Sequence, residues 1–488
     1  MNDLVIRRAR LGQRSVDVRI SGGRITEIVG GGEQSERRLA RGAMDLDAAG
    51  GWIVPGLHDH HIHLRALSAA RASVDAGPPA VTDAHQLSEA LAGAPVAGPD
   101  SWVRAVGYHE SVAGELDRDV LDRWVPDRPL RVQHRSGILW VLNSRALQVV
   151  AADSEPAPGI ERDSSGRPTG RLWRMDEWLS SRTAWLDEPH LSALLGGFSR
   201  QAAAGGVTGW TDATPNRSDA ETETLARLVV SGEVLQRVHL MVRPGAGSDD
   251  TCLGWLAPGH DRADLVTTGA VKIILDDFDL PALDALAATV RAAHSHERPV
   301  AIHCVTRTQL VLALAAIDEA GGLRAGDRIE HGAVIAPELF PNLTRGGGAT
   351  VVTQPNFVFE RGDDYLSDVE PDEVGNLWRA ASLVSAGIAV AAGTDAPFGR
   401  EDPWQAIRAA TDRRTSSGAS LGESERVDAA RAFSWFCGTG RDPATPRRVA
   451  EGEPADLVVL ADPLGEVVAG GGPPPVVTTV VGGAVAYP

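Results

Sequence analysis

Between Pro55 and Leu64 the chain reads Pro-Gly-Leu-His-Asp-His-His-Ile-His-Leu, which places four histidines and an aspartate within six positions. Neutral imidazole is a common metal ligand, and Zn²⁺ is a common choice for nitrogen donors. Residues i and i+2 of a β-strand share a face, so His61 and His63 are the pair able to hold one ion together. The approach suits a strand, because Trp52-Ile53-Val54 is apolar and β-prone and Pro55-Gly56 punctuates it. Two histidines alone fit a polar surface turn equally well. What the rest of the chain adds must decide.

Four further residues of ligand type lie in or at the end of apolar runs. Lys272 interrupts the run 270–275, His303 closes 299–303, His331 closes 328–331, and Asp395 follows 388–392 in Ala-Gly-Thr-Asp-Ala-Pro. Other strands are expected at 205–211, leading to Asp212, and at 234–242 and 349–353. Helical stretches lie between them. After Pro281, Leu283, Leu286, Val290 and Ala293 recur on one face, and 310–320 reads as a helix that Thr306 or Thr308 can cap and Gly321-Gly322 ends. Alternating strands and helices imply right-handed crossovers and a parallel sheet. With the strand before His61 the count is about eight, the number that closes a TIM-like (β/α)₈ barrel of the α/β class. In such a barrel the C-terminal strand ends share one mouth, so these residues can meet. Singly, His303 or His331 reads as a core histidine, Lys272 as a buried ion-pair partner and Asp395 as a helix cap. Jointly, a metal centre is the better reading.

Both ends of the chain use hairpin grammar: alternating strands around Gly22-Gly23 near the start, and around Gly482-Gly483 near the finish. Neither end has enough strands for a stable sheet. A small β-domain from 1–54 and 450–488 is therefore expected beside a barrel spanning 55–449. An insertion at about 75–190 breaks the barrel rhythm. It carries six of the twelve tryptophans, Trp102, Trp124, Trp140, Trp173, Trp178 and Trp185, and is read as a separate layer, either covering an active site or simply packed as core.

The bulk composition excludes several functions. Lys and Arg total 47 against 65 Asp and Glu, a net charge of −18 that opposes binding to nucleic acid or anionic membrane. Cys252, Cys304 and Cys437 are far apart and form no disulfide framework or CxxC pair. No secretory leader and no 18-residue apolar run are evident, so a cytoplasmic protein is expected. The expected partner is a small-molecule substrate, and a homodimer stays open.

Taken in order, these segments resemble the amidohydrolase superfamily of metal-dependent hydrolases. The carriers are PGLHDHHIHL at 55–64, AVKIILDD at 270–277, AIHCV at 301–305, RIEHG at 328–332, GTDAPFGREDP at 393–403 and GEPADLVVL at 452–460. The insertion, with VLNSRAL at 141–147, is similar to the branch that includes N-substituted formamide deformylases, amidohydrolase family 3. The resemblance implies a TIM-like barrel beside a β-sandwich built from both termini, and a centre of one or two divalent metal ions, zinc being expected. It implies that His61 and His63 hold the more buried ion, that a carboxylated Lys272 bridges, that His303 and His331 hold the second ion, and that Asp395 both ligates and shuttles protons. Asp59 is expected to orient a ligand histidine, and Glu330 to do the same or to form a salt bridge; His58 and His60 stand outside the matched pair.

The implied activity is hydrolysis of a C–N bond, in an amide or cyclic amide, by a metal-activated hydroxide. Deamination of an aminated heterocycle is the alternative, and a metal-free binding scaffold lies outside enzymes altogether. The chain departs from the branch where substrate would be touched: Ile138 replaces a histidine, Arg174 a glutamate, and Cys304-Val305-Thr306-Arg307 a Gly-Asp sequence. Arg174 and Arg307 are accordingly candidates for binding an anionic substrate group.

Overall fold

Eight parallel strands organise the computed structural model, which describes residues 3–31, 44–78, 80–95, 101–183, 188–246, 253 and 262–488. They are β1 (Leu57–Ile62), β2 (Val207–Asp212), β3 (Arg237–Val242), β4 (Val266–Ile273), β5 (Val300–Cys304), β6 (Arg328–His331), β7 (Thr350–Thr353) and β8 (Ala389–Ala392), paired in that order. Beyond β8 the chain closes against β1. The Asp395 amide donates to the His61 carbonyl at 2.7 Å, and the His63 amide donates to the Ala396 carbonyl at 2.9 Å. Glycine is required at 393, because a Cβ there would stand 2.4 Å from the His61 nitrogen. The result is a TIM-like barrel.

The crossover helices follow the apolar periodicity. Leu283–Ser295 buries Leu286, Ala287, Val290 and Ala293. Arg307–Glu319 starts at Thr306, whose hydroxyl accepts from the Gln309 amide while the Gln309 side chain returns to the Thr306 backbone. Strand β4 starts four residues before the apolar run at 270–275, since its polar Thr267 and Thr268 still pair with β3.

One irregularity in β1 decides where its histidines point. Trp210 of β2 lies opposite Asp59 and Asp212 opposite Ile62, so β1 has three residues where β2 has two. Strict alternation would put His58 and His60 on the face opposite His61 and His63, but an extra residue reverses the alternation beyond it. His58 and His60 stack with rings 4.5 Å apart, and His58 Nε2 lies 2.9 Å from the Thr211 hydroxyl of β2. His61 pairs with Glu330 of β6, a strand that is not its neighbour, so that contact crosses the barrel interior. Both histidine pairs therefore face inward.

The terminal strands share one eight-stranded sheet. Leu457–Leu460 pairs antiparallel with Trp52–Pro55 on one side and with Val476–Val481 on the other. The sheet forks at Leu4–Leu11, which meets Met44–Asp47 through residues 4–7 and Trp52 through Arg10, with Arg8 in the left-handed region between them. Leu4, Ile6, Val18, Ile53, Leu457 and Val480 belong to one buried apolar cluster, so residues from both ends of the chain make a single core.

The chain divides into two compact units, Met1–Leu64 with Gly196–Pro488, and Arg65–Leu195. The second is wider than the insertion expected at 75–190. It has its own six-stranded sheet, including Val103–Tyr108, Leu130–His134, Leu139–Leu142 and Pro168–Trp173, and its own apolar clusters. Trp140 is buried in one of them; its Nε1 donates to Asp176 at 2.7 Å, and the Arg104 and Arg131 guanidinia stand 5.2 and 5.0 Å from its ring. Trp102 and Trp178 pack against the same cluster, and Trp124 and Trp173 against the other. Trp185 and Cys252 lie outside the described residues. Cys304 and Cys437 are buried free thiols, and no helix among the described residues is long and apolar enough to cross a membrane.

Removing residues 462–488 would strip Val476–Val481 from Leu457–Leu460 and bare an apolar edge. The expected outcome is aggregated or insoluble protein by size-exclusion chromatography. A soluble, fully active truncation would show that the two ends do not depend on one another.

Candidate metal centre

The C-terminal ends of β1, β4, β5, β6 and β8 supply the site. His61 Nε2 and His63 Nε2 stand 3.6 and 3.1 Å from the same oxygen, Asp395 Oδ1. Ligand atoms of His61, His63 and Asp395 all lie within 4.8 Å of one another, a donor set for a divalent metal ion. His331 adjoins this group, its ring 4.7 Å from that of His61 and its Nδ1 3.9 Å from Asp395 Oδ2. His303 follows, with its ring 4.5 Å from His331. Lys272 projects from β4, only 1% exposed, and its charge acts on both His61 and His303.

The polar atoms left over support an ion at this place. His61 Nε2, Lys272 Nζ and Asp395 Oδ1 are buried without a hydrogen-bond partner among the described residues. His63 lies close to Asp395 Oδ1 but out of line for a hydrogen bond. Convergent orphaned donors and acceptors are unfavourable in a protein interior unless another group completes them. Burial drives the His61 and His331 imidazoles well below their usual pKa and His303 to about 3, so all three are held neutral, the ligating form. Burial also lowers the Lys272 ammonium, with Glu330 and Asp395 opposing that shift.

Supporting side chains fix the rings. The Glu330 carboxylate contacts His61 Nδ1, leaving Nε2 for the site, and also accepts from Arg328 at 2.6 Å. Gln354 Oε1, just after β7, lies 2.8 Å from His331 Nδ1. Asp59 does not orient a histidine ring as expected: its carboxylate accepts from the Thr394 amide and hydroxyl at 2.9 and 2.5 Å and from the His61 amide at 3.1 Å. It clamps β1 to the β8 loop instead, and burial raises its carboxyl to about 6. His331 and Asp395 both adopt positive φ, 68° and 57°, conformations that non-glycine residues hold only when their surroundings enforce them.

Gln354 and Asp212 were missed by sequence reasoning as supporting residues. Asp212 ends β2 and accepts from the Leu64 and Thr214 amides at 2.9 Å each, fixing the chain just after His63. Its position at a strand end, like that of Gln354 after β7, was the available signal. Arg307 is paired with Glu373 at 2.9 Å and with Glu338, so its charge is already matched. Arg174 belongs to the 65–195 unit, where its amide donates to Ile138 at 2.8 Å.

The profile of the Amidohydrolase family matches residues 46–487. The chain belongs to this family. It is 28% identical to the N-substituted formamide deformylase of Arthrobacter pascens, over 94% of this chain and 93% of that protein. It is 24% identical to the putative amidohydrolase YtcJ of Bacillus subtilis, over 86% and 85% respectively. The crystal structure of an uncharacterized metal-dependent hydrolase from Pyrococcus horikoshii shares the fold, with a TM-score of 0.72 and 18% identity over 96% of this chain and 99% of the other. As an amidohydrolase, this protein is an enzyme that hydrolyses carbon–nitrogen bonds other than peptide bonds.

Glu330→Gln keeps the side-chain shape but removes the charge that orients His61. Metal affinity, measured by chelator competition, should fall about 10–100-fold. Unchanged affinity would remove Glu330 from the support of the site.

Proposed function

We propose that this amidohydrolase is a zinc enzyme that opens the C–N bond of a small amide or cyclic amide. The observation that carries the reading is the convergence of His61, His63 and Asp395 on orphaned atoms beside a buried Lys272. A divalent ion held there supplies Lewis acidity, bringing the pKa of a bound water to about 7 and polarising the substrate carbonyl.

The chain's own residues do the rest. His61 and His63 bind, the former aligned by Glu330. His303 and His331 provide imidazoles for a second ion, the latter steadied by Gln354. Lys272, its ammonium disfavoured by burial, presents an amine that could add to CO₂ with release of a proton, which would turn a poor ligand into an anionic oxygen donor. Asp395 would take a proton from the attacking water on its carboxylate and return it to the nitrogen as the C–N bond breaks. The lysine-bearing ligand set favours amide hydrolysis over deamination. The formamide substrate of the Arthrobacter relative is not carried over, because Ile138, Arg174 and the segment 304–307 depart from that branch.

Dialysis against a chelator should abolish turnover on a panel of N-acyl compounds and cyclic imides, and zinc should restore it. Turnover that survives complete metal removal would refute the reading. Lys272→Ala should lose both metal and activity, with partial rescue by short carboxylic acids; full metal occupancy would argue against a bridging role. Asp395→Asn should retain its fold and most of its metal but lose kcat by about 10²–10⁴-fold. Asparagine caps turns well, so near-normal turnover would reduce Asp395 to a structural residue.

A further inference from the structure

The opposite end of the barrel holds a cavity. It has a volume of about 340 Å³, within the range of small-molecule sites, and is lined from the N-terminal halves of β1 to β4, the loop at 438–441 and the terminal sheet. Its inner wall is polar. His58 and His239 line it, and each is only 4% exposed. His58 uses Nε2 on Thr211, and His239 uses Nδ1 on Thr267 at 2.7 Å. The other ring nitrogen of each has no hydrogen-bond partner among the described residues. The loop Gly438-Thr439-Gly440-Arg441 folds over His239 so closely that a Cβ on Gly440 would stand 2.3 Å from the His239 Cβ.

The charge around this cavity runs against that of the whole chain. Four arginines line it against two aspartates, whereas the chain carries −18. Both aspartates are taken: Asp456 accepts from Arg237 at 2.7 Å and lies 3.3 Å from Arg447, and Asp264 lies 3.2 Å from Arg237. Arg447 is further held by the Cys437 and Gly438 carbonyls. Two exposed cations remain at the rim. Among the described residues, the Arg24 side chain donates to the Gly452 carbonyl and pairs with no carboxylate, and the Arg441 side chain has no hydrogen-bond or ion-pair partner. Val238, Leu265 and Pro454 add apolar wall beside them.

We propose that this cavity is a binding site for a small organic anion, separate from the metal centre, in which Arg24 and Arg441 grip a phosphate or carboxylate head and the His58 and His239 rings form the inner wall against its body. Guanidinium groups suit planar or tetrahedral oxyanions, and a cavity of this size accommodates more than the head alone. The occupant would contact β1 three residues before His61 without entering the catalytic mouth.

Calorimetric titration of the metal-loaded enzyme with inorganic phosphate and, separately, succinate tests this. At least one should bind saturably, with phosphate preference assigning a phosphoryl head and succinate preference a carboxylate. His63→Ala should leave that binding intact. Arg441→Gln should weaken it about tenfold, and Arg24→Glu with Arg441→Glu about a hundredfold, since each charge-assisted contact contributes about one decade. Both arginines are exposed, and the single variant carries the test should the double one misfold. Failure of both anions to saturate, unaltered binding in Arg441→Gln, or loss confined to His63→Ala would each overturn the proposal. None of these outcomes depends on the catalytic activity.

Discussion

The junction between β1 and the loop after β8 is the constraint on which the site depends. Two backbone hydrogen bonds, from Asp395 to His61 and from His63 to Ala396, bring residues from distant parts of the chain to one edge. They are possible because Gly393 has no side chain to meet the His61 backbone. The Asp59 carboxylate reinforces the junction from both sides by bonding Thr394 and the His61 amide. The same contacts that assemble the candidate ligands also draw the two outer strands of the barrel together at its mouth.

The interior that this closure creates is unusually polar for a barrel core, which is ordinarily filled by branched apolar layers. Arg328 donates to Glu330 and to the His60 carbonyl, and Glu330 in turn contacts His61, so a buried ion pair links the middle of the barrel to its mouth. Removing one member of such a pair strands the other in a low-dielectric setting, which is why these residues act as a unit. Above them His61, Lys272 and Asp395 keep atoms without a hydrogen-bond partner among the described residues, and His331 and Asp395 hold positive φ. Structure of this kind is destabilising by itself and is sustained by the surrounding apolar strands and helices. Below them, His58, His60 and His239 continue the polar column toward the opposite end.

Much of the architecture was legible in the chain. Alternation of short apolar runs with helical periodicity located β2 to β8 to within a few residues, because burial on both faces demands β-branched and aliphatic residues there, whereas Trp52-Ile53-Val54, read as the approach to His61, belongs to the terminal sheet. The positions of Lys272, His303, His331 and Asp395 at or near strand ends were visible for the same reason: a ligand-type residue is conspicuous against an apolar run. Less legible were the residues that act through others. Gln354 and Asp212 have ordinary local contexts, and their partners, His331 and the segment after His63, are remote or across a turn.

Sequence alone determined that the chain folds as an α/β barrel beside a β-sheet built from both termini, and that histidines, a lysine and an aspartate stand at or near the ends of the barrel strands. Those properties follow from local periodicity and residue type. Tertiary structure alone decided which carboxylate serves which purpose. Glu330, not Asp59, meets the His61 ring, and Arg307 is absorbed by two glutamates. It also decided that His58 and His60 face the same interior as His61 and His63. One extra residue in β1 relative to β2 reverses the alternation, and that register depends on a neighbouring strand that no local pattern in β1 contains.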